Sequence, residues 1–116
     1  MSIRQILLTV LTVLMLSVGQ VLFKHASGKI DIEGKGVFAG LLFNPAFVIA
    51  IAVYAVATIS WLLVLKATPL RVAYPFAALA FIMVPIFASI FLGETLRLTT
   101  FAGAAIIIVG VYVSLL

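Results

Sequence analysis

The stretch VAYPFAALAFIMVPIFASIFLG, residues 72–93, runs for 22 consecutive residues without a charged side chain. A helix needs about 20 predominantly apolar residues to cross the hydrocarbon core of a bilayer. Apolar residues follow one another continuously here, whereas the strands of a membrane β-barrel alternate between apolar and polar residues. The stretch therefore predicts a transmembrane helix.

Three further stretches are long and apolar enough for the same assignment. The predicted spans lie at about residues 5–26, 45–65, 71–92 and 98–116. The second span is predicted to begin at Asn44-Pro45, because proline is favoured in the first turn of a helix. Residues 27–44 form the long connection, in which residues 36–43 are predicted to be an interfacial helix or loop. We expect one domain over residues 1–116, an all-α integral membrane protein of four transmembrane helices.

The composition excludes a water-soluble class of protein. Hydrophobic residues make up 66% of the 116 residues, charged residues 9%, and the mean hydropathy is +1.45. Soluble domains are about 45–50% apolar and about 25% charged. The four spans leave no segment long enough for a soluble catalytic domain, so we expect that the chain is not an enzyme. With no cysteine and a single histidine, His25, we expect no metal site and no cofactor.

The positive charges are scattered singly between the apolar runs, although the formal net charge is +4. Nucleic-acid binding is not expected, because that function needs a basic patch on one face. The side of the membrane that holds Arg4 (the Arg4 side) has three Lys and Arg residues, namely Arg4, Lys66 and Arg71. The side that holds Lys24 (the Lys24 side) has four, namely Lys24, Lys29, Lys35 and Arg97. This near balance does not fix a topology. Either a partner orients the chain, or copies insert both ways round.

Small residues indicate where helices meet in lipid, because they let two backbones approach closely. The third span carries a stripe of alanines at Ala73, Ala77, Ala80 and Ala88. In the fourth span Gly103 and Gly110 share a face. Four helices alone enclose little space for a polar path. We therefore expect a dimer, either of two identical chains or with a similar small subunit.

Polar residues lie on one face of the first span. Ser17, Gln20 and Lys24 are spaced by three and four residues. A polar face inside a membrane is costly and is by default a functional hypothesis. For Gln20 the alternatives are substrate binding and a hydrogen bond to a neighbouring helix. For Lys24 they are substrate binding and extension of its ammonium group to the membrane interface.

A second polar group surrounds the short connection between the second and third spans. Trp61 and Tyr74 lie about one turn inside the helix ends, so they belong either to the interfacial aromatic belt or to the wall of a site. Arg71 has the preferred geometry for phosphate, which either a substrate or an ordinary lipid supplies. No Asp or Glu lies inside any span. This argues against a proton-coupled exporter of cations, which needs a buried carboxylate.

Residues 61–75, WLLVLKATPLRVAYP, and residues 92–96, LGETL, resemble the drug/metabolite transporter superfamily, with its EamA-like and small multidrug resistance-like members. Two four-helix groups within it are similar to this chain. One is the small multidrug resistance exporters. The other is the paired small subunits proposed to flip aminoarabinose-phosphoundecaprenol across the bacterial inner membrane.

The first span distinguishes these two groups. The exporters carry a glutamate in the middle of this helix, whereas residues 14–20, LMLSVGQ, contain none. The Gly19-Gln20 pair followed by Lys24 is more similar to the flippase subunits. The resemblance therefore implies a small multidrug resistance-like bundle that pairs, as a subunit of a membrane transporter or flippase.

By this resemblance the substrate would be a polyprenyl-phosphate-linked sugar or a related anionic lipid, moved across the bacterial inner membrane by a multi-pass protein. The resemblance implies that Gln20 and Tyr74 contact the head group, that Lys24 and Arg71 contact the phosphate, and that Trp61 is a wall of the site. Two rival functions are open. One is the export of small cations without a first-helix carboxylate, and the other is an accessory role beside a membrane glycosyltransferase.

Overall fold

A computed structural model describes residues 2–28 and 43–116 of the chain. Four helices in these residues are long and apolar enough to cross a membrane: α1 (Ile3–Ser27), α2 (Pro45–Ala67), α3 (Leu70–Leu92) and α4 (Leu98–Leu115). The described residues contain no strand. The prediction of an all-α membrane fold with four spanning helices is confirmed. The predicted interfacial segment, residues 36–43, lies almost entirely outside the described residues.

Side-chain caps fix where α1 and α2 begin. Ser2 and Gln5 form a capping box, in which each backbone N–H donates to the other residue's side chain at 3.0 and 3.3 Å. Asn44 caps α2, and its side-chain oxygen accepts from the N–H of Ala46 at 3.1 Å. The same amide donates through Nδ2 to the carbonyl of Ala26 at 3.1 Å. Asn44 therefore ties the start of α2 to the end of α1.

Helix α1 lies between α2 and α3 and packs most extensively against α2, whereas α4 packs against α3. The side-by-side order of the helices is therefore α2, α1, α3, α4. A buried hydrogen bond of 2.5 Å between the hydroxyls of Thr12 and Ser60 joins α1 to α2. No extensive contact joins α2 to α4 within the described residues. Both α3 and α4 consequently leave most of their surface open to lipid or to a partner.

Helix α3 changes its winding along its length. An α-helical turn, Leu70–Ala73, is followed by a 3-10 segment, Tyr74–Leu79, and then by α-helix from Ala80 to Leu92. Pro75 has no N–H to donate and crowds the preceding turn, which explains why the α-helix does not continue through it. At about 2.0 Å rise per residue instead of 1.5 Å, six residues lengthen α3 by about 3 Å.

Helix α3 ends at Gly93, which has a left-handed backbone with φ of 69°. The N–H groups of Gly93 and Glu94 both point to the carbonyl of Ala88 in the last turns of the helix. Glycine adopts this conformation without a steric penalty. The turn directs the chain into the short connection to α4.

Candidate functional site

Gln20 forms a hydrogen bond between helices inside the membrane-spanning region. Its Nε2 donates to the hydroxyl oxygen of Tyr54 in α2 at 2.5 Å, and the Gln20 side chain is exposed at the protein surface. Ser17, one turn earlier, is fully buried and donates to the carbonyl of Val13 at 2.8 Å. Of the predicted polar face, Ser17 is therefore buried and bonded within α1, whereas the side chain of Gln20 lies at the protein surface. Lys24 is also exposed, near the end of α1.

The ring of Tyr54 lies directly over Gly19. A Cβ atom at Gly19 would come within 2.6 Å of Cδ2 and 2.7 Å of Cε2 of Tyr54, so only glycine permits this approach. Phe23 contacts the same ring, with a centroid distance of 5.1 Å and an interplanar angle of 49°. Gly19 and Phe23 thus position the phenol against the amide of Gln20.

Tyr54 is a residue that the sequence analysis missed. It is the tenth residue of α2, far from the helix ends where interfacial tyrosines anchor a protein. Tyrosine is counted among the hydrophobic residues, so the composition of the apolar run does not distinguish Tyr54. Its position near the middle of an apolar span was the signal available in the sequence.

The structure brings Trp61 and Tyr74 together. They line a groove of about 190 Å³ (the Trp61 groove) with residues from three helices, the full lining being Leu16, Thr58, Trp61, Tyr74 and Ala77. Helix α1 supplies its floor, and α2 and α3 supply its walls. Beyond their short connection, α2 and α3 do not pack extensively against each other in the described residues. The groove therefore opens sideways toward the membrane.

The Trp61 groove and the Gln20–Tyr54 pair lie on the same side of α1 and α2. Thr58 follows Tyr54 by four residues on α2, and Leu16 precedes Gln20 by four residues on α1. Residues four apart are stacked on one face of a helix, about 6 Å apart along its axis. The hydrogen-bonded pair is therefore one turn farther from the Arg4 side of the membrane than the groove.

Arg71 lies on a second, wider groove of about 470 Å³ (the Arg71 groove), lined by Leu70, Arg71, Tyr74, Pro75 and Ser114. The Tyr74 side chain is 67% exposed and contributes to both grooves. Arg71 is exposed at the start of α3, on the Arg4 side of the membrane. At this end of α3 the guanidinium of Arg71 can therefore bind an anion. The phenol of Tyr74 lies beside it and also lines the Trp61 groove.

Lys24 does not join this arrangement. It lies near the end of α1, whereas Arg71 lies at the start of α3, and α2 returns the chain across the membrane between them. The two cations therefore lie on opposite sides in a single copy. A cavity of about 210 Å³ between α1 and the end of α3 lies near Lys24, and its lining is apolar apart from His25.

Among the described residues, no group of three His, Cys, Asp or Glu side chains is placed to hold a metal ion. The site is instead built from one amide, three aromatic side chains and an interfacial cation, beside grooves that face lipid. Four spanning helices with such lateral grooves define a small multi-pass membrane protein.

A relative of the chain specifies this class further. Over 97 residues, covering 72% of this chain and 67% of the relative, it is 31% identical to the probable 4-amino-4-deoxy-L-arabinose-phosphoundecaprenol flippase subunit ArnF of Shewanella sediminis (strain HAW-EB3). The chain belongs to the family of ArnF-like flippase subunits. This confirms the resemblance to the flippase small subunits and identifies a transport subunit, not an enzyme. No protein-family model matches the chain, and no solved structure matches it significantly.

Proposed function

We propose that this chain is one subunit of a flippase that moves a polyprenyl-phosphate-linked sugar, or a related anionic lipid, across the bacterial inner membrane. Kinship with a protein named as a flippase subunit for such a lipid carries the proposal. The Trp61 groove supports it, because it opens to the bilayer along three helices. A lipid-linked sugar can keep its tail in the bilayer while its polar head follows a lateral groove.

Each of the candidate residues has a role in this proposal. Arg71 binds the phosphate at the Arg4 side, and Lys24 binds it at the Lys24 side, each through charge-assisted hydrogen bonds. Tyr74 and Gln20 contact the head group, and Trp61 forms a wall of the groove. Tyr74 suits this role because it lines both the Arg71 groove and the Trp61 groove.

The functional unit in this proposal is a dimer, formed with a second copy or with a similar small subunit. Helices α3 and α4 are almost unburied in the single chain, with 6% of each apolar window buried, against 33% for α1. A Cβ atom at Gly103 or Gly110 would meet nothing within 4 Å, so this face of α4 has room for a close neighbour. In an antiparallel dimer, Lys24 of one copy and Arg71 of the other would lie on the same side of the membrane.

The test measures binding of undecaprenyl phosphate to the full chain in lipid nanodiscs. Replacement of Arg71 or Lys24 by glutamine should weaken binding by about 1.5–3 kcal/mol, the usual value of a hydrogen bond to a charged group. Arg97→Gln is the matched control, because Arg97 is an exposed cation at the start of α4 and lines neither groove. Wild-type binding by both single variants and by the double variant would show that these cations are only interfacial anchors.

A transport measurement distinguishes the flippase from an exporter of small cations. The sequence places no Asp or Glu within α1 to α4, so the helices offer no carboxylate to exchange a proton for a cation. Reconstituted protein should therefore show no proton-driven efflux of quaternary ammonium dyes. Clear proton-coupled efflux by the protein would contradict the proposal.

A further inference from the structure

The Gln20–Tyr54 pair has polar capacity that the described residues do not use. The hydroxyl of Tyr54 accepts one N–H of the Gln20 amide. The second amide N–H, the amide oxygen and the phenolic O–H have no hydrogen-bond partner among residues 2–28 and 43–116. Two donors and one acceptor therefore remain available at this point.

These unused groups lie within the hydrocarbon region. Gln20 lies about 7.5 Å from the middle of α1, and Tyr54 lies about 3 Å from the middle of α2, at 1.5 Å rise per residue. Lipid tails cannot form hydrogen bonds, so an exposed amide and a half-buried phenol at this depth are costly to leave unpaired. Gln20 is exposed at the surface, which makes the pair accessible to a polar ligand moving along the protein.

The chemistry of the pair favours one class of ligand. It carries no charge, and it combines donors with an acceptor, which matches the hydroxyl groups of a sugar. A phosphate would prefer cationic donors, and an organic cation would prefer a carboxylate or an aromatic cage. The rings of Phe23 and Tyr54, 5.1 Å apart, add an apolar surface beside the pair on which the C–H face of a sugar ring can rest.

The pair is also connected to the rest of the candidate site. Tyr54, Thr58 and Trp61 follow one face of α2 at steps of four and three residues. The face runs from the pair to the Trp61 groove and ends beside Tyr74 on the Arg4 side. A head group that moves along the groove from the Arg4 side toward the Lys24 side would therefore meet the Gln20–Tyr54 pair next.

We propose that Gln20 and Tyr54 form a mid-membrane binding station for the hydroxyl-bearing sugar of the transported lipid. Tyr54 holds the Gln20 amide and donates its own O–H to the sugar, and Gly19 permits this placement of the ring. The inference rests on the proposed flippase function and adds to it a sugar subsite. It assigns a binding role to Tyr54.

The experiment compares two probe lipids on the full chain in nanodiscs: undecaprenyl phosphate carrying one hexose, and undecaprenyl phosphate without the sugar. Tyr54→Phe keeps the ring over Gly19 and removes only the hydroxyl. It should weaken binding of the glycosylated lipid about three- to tenfold, the range for one hydrogen bond, and change binding of the bare lipid less than twofold. Tyr112→Phe is the matched control, because Tyr112 is 66% exposed on α4 and lines neither the Trp61 groove nor the Arg71 groove.

The remaining outcomes separate this inference from the proposed function. Equal loss of both lipids in Tyr54→Phe, or no loss of either, would overturn the sugar station and leave the flippase function standing. The same holds if the wild-type chain binds the two lipids equally well. A change in crosslinked dimer with unchanged lipid binding would assign the pair to an interface between copies. Failure of the wild-type chain to bind either lipid would overturn the proposed function itself.

Discussion

Replacement of Gly19 by alanine tests the contact that positions Tyr54. The added Cβ atom would lie 2.6 Å from Cδ2 of Tyr54, whereas carbon atoms in contact are normally about 3.5–4.0 Å apart. The ring must therefore retreat by about 1 Å. Phe23 packs against this ring, and the Gln20 amide is bonded to its hydroxyl. The retreat consequently disturbs both interactions.

The magnitude follows from three contributions. Loss of the Gln20–Tyr54 hydrogen bond costs about 0.5–1.5 kcal/mol, and loss of the aromatic contact with Phe23 costs a similar amount. Alanine is more favourable than glycine in a helix interior by about 1 kcal/mol, which offsets part of this loss. We expect Gly19→Ala to lower the free energy of unfolding by up to about 2 kcal/mol. Gly103→Ala, where a Cβ atom meets nothing within 4 Å, should raise it by up to about 1 kcal/mol.

The assay is unfolding of the purified chain from mild detergent by added SDS, followed by circular dichroism. A second pair of variants isolates the cause, because Tyr54→Ala removes the ring that the new methyl group strikes. In the Tyr54→Ala background, Gly19→Ala should become stabilising, as Gly103→Ala is in the wild-type background. Equal effects of Gly19→Ala and Gly103→Ala on the wild-type chain would refute the reasoning, as would an unchanged penalty after Tyr54 is removed.

Variants at three further sites test the fold, each by the same unfolding assay. Asn44→Ala removes the cap of α2 and the bond to the carbonyl of Ala26, and should cost about 1–2 kcal/mol, whereas Asn44→Asp should retain the cap but not that bond. Thr12→Val should lower the free energy of unfolding by about 0.6–1.7 kcal/mol, because it leaves the Ser60 hydroxyl without its partner. Adding Ser60→Ala to this variant should recover part of the lost stability, and no recovery would contradict the Thr12–Ser60 hydrogen bond. Gly93→Ala should cost about 1–2 kcal/mol through backbone strain, although its Cβ atom has free space, so a neutral result would contradict the left-handed turn.

The four helices follow from the sequence because lipid restricts the possible structures so strongly. A chain in hydrocarbon must satisfy its own backbone hydrogen bonds, so each long uncharged run has to become a helix. The start of α2 also follows from the residue types at that point, since Asn44 caps the helix and Pro45 occupies its first turn. Pro75 disturbs the winding of α3, but the extent of the 3-10 segment over six residues was not predictable from the proline alone.

The arrangement of the site was harder to predict, because helices in a membrane are apolar on every face. A soluble helix shows an apolar stripe that marks its buried side. In α1 no such stripe distinguishes buried Ser17 from exposed Gln20, since both polar residues interrupt the same apolar run. The partner of Gln20 depends on how α2 is rotated against α1, and that rotation depends on the close approach at Gly19. Such tertiary packing leaves no periodic signal in the sequence.

The 3-10 segment of α3 also has an angular consequence. Each residue advances by about 120° in a 3-10 helix and by about 100° in an α-helix, so six residues differ by about a third of a turn. The start of α3, with Tyr74, is therefore rotated by that angle relative to Ala80–Leu92, compared with a regular α-helix. Because Tyr74 stands between the Trp61 groove and the Arg71 groove, the winding of these six residues determines toward which groove its phenol is turned.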